Sequence, residues 1–148
     1  MSVDVDIELT EGFFPAVFEI VQLNADVSTT FKGAIFVSSI NFKKEISGPL
    51  DIAINQVTEA LKAEGFGVLT RIDLHTKVKE KLGKDMLPVT ILGACNPQLA
   101  FEAYSQNSDV ASLLPCNAVL RDTGNGRISV ELAKPSALMR FLGDEKLV

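Results

Sequence analysis

The stretch from Met86 to Leu120, MLPVTILGACNPQLAFEAYSQNSDVASLLPCNAVL, constrains the fold more than any other, because its prolines and asparagines fix where a strand must stop and where one can restart. Leu87, Val89, Ile91, Gly93 and Cys95 share one parity, so an extended backbone sends them to one face and Thr90 and Ala94 to the other. Asn96 can cap a following helix with its side-chain oxygen, and Pro97 suits the first helical position, where a missing N–H costs nothing. Pro115 then permits only a strand start or an unpaired edge position, after which Cys116, Ala118 and Leu120 alternate with Asn117, Val119 and Arg121. The segment therefore reads as a strand, a capped helix and a second strand.

On either side the chain continues the same alternation of elements. Val3, Val5, Ile7 and Leu9 alternate with Asp4, Asp6 and Glu8, the pattern of a half-buried strand whose acids would protect an exposed edge. The next segment, FFPAVFEIVQLNADV, fits a strand by its β-branched and aromatic content and a short helix by its spacing; the strand is the preferred reading. A long strand is expected from Ala34 to Ile46. Pro49 then opens a helix on which Leu50, Ile54, Val57 and Leu61 recur at helical spacing, and Gly65 ends it. Phe66 to Leu74 reads as a strand, followed by a short lysine-rich helix with Val78 and Leu82 inward and Gly83 closing it. Asp122 to Gly126 makes the turn of a hairpin whose second strand carries Ile128, Val130 and Leu132 on one face, and a short helix follows Pro135.

The expected fold class is therefore α+β: one mostly antiparallel sheet of four to six strands, with the Pro49–Glu64 and Pro97–Gln106 helices packed on one face. At 148 residues one domain, 1–148, is the natural division, with 1–39 as an N-terminal extension joined to a core at 40–148. A chain of this size buries about 70% of its unfolded surface without staples. No run of eighteen apolar residues is present and MSVDVDIELT lacks the order of a signal peptide, so a soluble, cytoplasmic protein with reduced thiols is expected.

Charge narrows the partners. Six acids precede the first basic residue, Lys32, which leaves 13 acids against 14 bases in the remainder. A net charge of −5 argues against nucleic acid, and no membrane partner is indicated. Lys77, Lys81 and Lys84 share a helix face that reads best as solvated surface.

Two cysteines, each followed by asparagine, are the chemically interesting residues. Cys95 precedes a helix N-terminus, where free N–H groups and the helix dipole favour an anion and can acidify a thiol. If Cys95 and Cys116 both face inward they should be close, with Cys95 the more acidic. Asn96 and Asn117 would offer hydrogen bonds, and His75, the single histidine, would be a third ligand if the thiols held a soft metal. The same two cysteines equally suit a tight core that wants small, soft side chains. Twenty intervening residues match no zinc-ribbon or C-x-x-C spacing, and Gly65-Phe66-Gly67 lacks the third glycine and the strand-then-helix context of a dinucleotide site.

The order GFGVLTRID, ILGACNP, SLLPCNAVLRD and GRISVELAKP, from about Ile40 onward, resembles the domain-of-unknown-function family 302 over roughly three quarters of the chain. The GACNP and LLPCN pair is its specific part. The resemblance implies a small α+β fold and a self-associating subunit, with no established reaction, substrate or catalytic residue.

Two functional readings follow. The first is a small, dimeric binding or regulatory module that takes a small molecule or anion near the Asn96-capped helix and lies closer to a binder than to an enzyme. The second is a thiol protein using Cys95 and Cys116 for redox chemistry, sulfur transfer or soft-metal binding. Neither requires a cofactor. The N-terminal prefix, with apolar strand faces to cover, is expected to contribute to self-association.

Overall fold

The strands are β1 (Phe36–Val37), β2 (Asn41–Ser47), β3 (Gly67–Asp73), β4 (Val89–Cys95), β5 (Cys116–Gly124) and β6 (Arg127–Ala133), with apolar and polar residues alternating most clearly in β2 and β5. They form one sheet in the order β1-β2-β6-β5-β4-β3, with every neighbouring pair antiparallel. The structure, a computed structural model, describes residues 36–37, 41–139 and 142–143, and the expected strand at 3–9 and the segment at 13–27 lie outside them. Helices α1 (Leu50–Ala63), α2 (Leu74–Leu82), α3 (Pro97–Gln106) and α4 (Pro135–Met139) complete the α+β class, with a 3₁₀ turn at Ser108–Leu113.

The core lies between α1 and one face of the sheet. Ala53, Ile54, Val57, Ala60 and Leu61 turn inward from α1 and meet Phe42, Ile46, Leu92, Ala94, Ala118, Leu120, Ile128, Val130 and Leu132. Burying each of the larger of these side chains contributes about 1.5–3 kcal/mol. α1 stops at a left-handed Gly65, φ +84°. Phe66 N–H then bonds Leu61 O at 2.9 Å and Gly65 N–H bonds Lys62 O at 3.0 Å, while the Phe66 and Leu61 side chains join the core. The β5–β6 hairpin closes through Asn125 and Gly126, φ 57° and 71°, the two positive φ values that a two-residue turn of this twist requires.

Four expectations need correction. The strand expected from Ala34 to Ile46 is two: β1 folds back on β2, with Phe36 opposite Lys43 and Val37 opposite Phe42. Only α1 covers the sheet in the way foreseen, since neither α2 nor α3 buries a residue and Leu82, expected inward, is 65% exposed. In β4 the helix side is taken by Thr90, Leu92 and Ala94, not by Val89, Ile91 and Cys95. A strand buried over most of both faces carries no apolar alternation from which its inward side could be read. As a result Cys95 and Cys116 belong to opposite faces: Cys116 pairs with Ala94 on the core side, and Cys95 with Gly67 on the other.

Candidate functional site

The head of α3 is built as its sequence predicts. Asn96 Oδ1 accepts from Gln98 N–H at 3.1 Å and Leu99 N–H at 3.2 Å, Pro97 has no N–H to offer, and Ala100 N–H bonds Asn96 O at 2.9 Å. The N–H groups of Gln98, Leu99 and Ala100 are thus engaged within the helix itself. The amide is held against the preceding turn, where a side chain on Gly65 would meet Asn96 Nδ2 at 3.2 Å.

Cys95 and Cys116 are free and each is partly buried. Because Cys116 stands opposite Ala94, it is one position out of register with Cys95 at the same end of β4 and β5. Burial pushes the Cys116 thiol up to about 11, and the nearby Cys95 adds to the rise. Asn117 is exposed and faces Gly93, on the side of Cys95. Gly93 has no room for a side chain: a Cβ would collide with Thr70 Oγ1 and come within 2.7 Å of Pro115 Cγ, whose peptide bond to Leu114 is cis.

His75 does not join this group. It opens α2 beside Val89, the far end of β4 from Cys95, with its Nδ1 3.0 Å from Val89 N and 3.1 Å from Val89 O. Seven residues of strand separate the two ends, about 20 Å. Histidine and thiols therefore cannot share a metal within one chain, and no cluster of three or more His, Cys, Asp or Glu suited to a metal occurs among the described residues.

Two polar groups escaped the sequence reading. Next to His75, the fully buried Thr90 donates its hydroxyl to Asp73 Oδ1 at 2.7 Å. That bond, the largest influence, holds the Asp73 carboxyl below the usual range; burial opposes it and Arg71 reinforces it. On the sheet face away from α1, Glu131 accepts from Arg121 Nε at 3.0 Å and Nη2 at 3.2 Å, Asn41 Nδ2 at 3.1 Å and Ser129 Oγ at 3.3 Å. Lys43 Nζ lies 3.8 Å from the same carboxylate. The signal was present: Ser129 and Glu131 fall out of phase with Ile128, Val130 and Leu132. Both groups tie adjacent strands together, and the Glu131 carboxylate is saturated by its own neighbours.

A family model described as "Domain of unknown function DUF302" matches residues 42–148. Among solved structures, the crystal structure of uncharacterized conserved protein DUF302 from Bacillus stearothermophilus is similar, with a TM-score of 0.67 and 34% identity over 72% of this chain and 83% of that one. No curated protein matches the chain.

Proposed function

The chain belongs to the DUF302 family, and from that starting point we propose that it is a small binding module that works as a homo-oligomer. The observation that carries this reading is α3. None of its ten residues is buried, and Phe101 and Tyr104, about one turn apart, are 73% and 51% exposed. A helix of this length is marginal in water by itself. Single exposed apolar residues need no explanation, but adjacent aromatics on a helix without a buried face gain from a surface that covers them. Exposed Leu69, Ile72, Leu82 and Leu87 extend the same tendency over β3, α2 and the approach to β4.

The partner we assign is a second copy of the chain. Nucleic acid and anionic membrane surfaces suit a net charge of −5 poorly. A small anion at the head of α3 would have to displace Asn96 from its own helix, so the module's working part is better sought in its apolar surface. The thiol alternative rests on the one-residue offset between Cys95 and Cys116. Against it, a Cys116 held at about 11 stays protonated at neutral pH, and the thiolate is the form that attacks or binds metal. A cytoplasmic location, where thiols stay reduced, suits both readings.

Light scattering from the full chain at micromolar concentration tests the proposal. A species larger than one chain is expected, and it should persist when both cysteines are changed to serine. A single monomeric species would defeat the reading.

A further inference from the structure

Resting on the self-association proposed above, we infer that the second copy docks along the β3 edge, with the two β3 strands antiparallel and Ile72 on the two-fold axis. Among the described residues β3 ends the sheet, paired with β4, and five of its seven residues are exposed. Such an edge presents unpaired N–H and C=O groups, which proteins usually protect with proline, lysine or a bulge. β3 contains neither proline nor lysine. Its bulge lies between Val68 and Thr70, so Thr70–Asp73 keeps a regular register with β4. Its two charges pair with each other, Arg71 Nε to Asp73 Oδ1 at 3.2 Å, so the edge carries no net charge to repel a copy of itself.

Side chains select the register. A two-fold perpendicular to the sheet keeps each face on its own side, so only residues of equal parity can stand opposite one another. An axis at Arg71 or at Asp73 would set like charges directly opposite, which is destabilising. An axis at Thr70 would draw the pairing across the bulge and leave Arg71 facing Leu69. With the axis at Ile72, Arg71 of each copy faces Asp73 of the other, and both cross-strand charge pairs are complementary.

The other face supports the same register. Ile72, 46% exposed, stands beside Ile91 of β4, which stands beside Val119 of β5, all on the side away from α1. Pairing two copies at Ile72 joins these rows of three into one apolar row of six that crosses the junction. Main-chain bonds would join Arg71–Asp73 of the two copies, the stretch of β3 that ends where α2 begins, while the row removes Ile72 from water.

Oxidative cross-linking and light scattering of the full chain test the assignment. In a Cys95→Ser/Cys116→Ser background, Ile72→Cys is expected to give a disulfide-linked pair of chains, because a residue on the axis meets its own copy. Leu69→Cys, off the axis, is expected not to cross-link to itself. Ile72→Lys should convert the oligomer to monomer at the same concentration, while Ile52→Lys, on the outer side of α1, should leave it intact. A monomeric unmodified protein would remove the self-association reading altogether. An oligomer that survives Ile72→Lys, with no cross-link from Ile72→Cys, would leave that reading standing and overturn the β3 assignment.

Discussion

Cys116 is a side chain whose acid–base chemistry the fold changes markedly. Burial takes water from its thiolate and Cys95 opposes a second negative charge, so its pKa rises from 9.0 to about 11. The folded chain therefore holds this proton more tightly than the unfolded one. The stability gained is complete below pH 9.0 and is lost as the pH rises through about 11, with at most about 3 kcal/mol at stake. Urea midpoints should fall across that window for the native sequence and fall less for Cys116→Ser; equal curves would show that the thiol is not buried as described. Asp73 acts at the other end of the scale. Held below its usual 3.8 chiefly by the Thr90 hydroxyl, its carboxylate contributes stability above that value, and the contribution fades as the pH falls through the lowered one.

α3 depends on its first residues more than on its packing, because it buries none of its side chains. Asn96 satisfies two backbone donors, so Asn96→Ala should cost about 1 kcal/mol in chemical denaturation, while Asn96→Asp, which keeps the accepting oxygen, should retain most of the stability. An alanine variant with an unchanged midpoint would mean that α3 is held by contacts other than its cap. β4 shows the opposite dependence. It lies between β3 and β5, and the absence of a side chain at Gly93 lets Thr70 and Pro115 approach it from those two sides.

The sheet and α1 share one core, and α2 and α3 stand outside it. Amide exchange should follow that division: slowest in β5 and β6, where Leu120, Ile128, Val130 and Leu132 are almost wholly buried, and fastest in α2 and α3, which bury nothing. Equal protection of α3 and β6 in the oligomer would place α3 inside an interface. Among the described residues no helix is long and apolar enough to cross a membrane. The saturated carboxylate of Glu131, bonded from β2, β5 and β6, binds the middle of the sheet as one unit.

Local chemistry by itself determined the places where elements begin and end. Asn96-Pro97, Gly65, Gly83 and Asn125-Gly126 act through φ angles and caps that a few residues decide, so α3 starts where its cap requires and the β5–β6 turn forms where its glycine allows. The pairing of Ile128, Val130 and Leu132 on one face was equally legible, because the other face of β6 carries Ser129 and Glu131. What needed the tertiary structure was which face of a two-sided strand meets the helix. In β4 both parities are apolar, and only its register with β5 shows that Ala94, not Cys95, shares a side with Cys116. Distance along the sheet was hidden for the same reason: His75 and Cys95 lie at opposite ends of one strand, a separation set by strand pairing that no spacing in the sequence encodes.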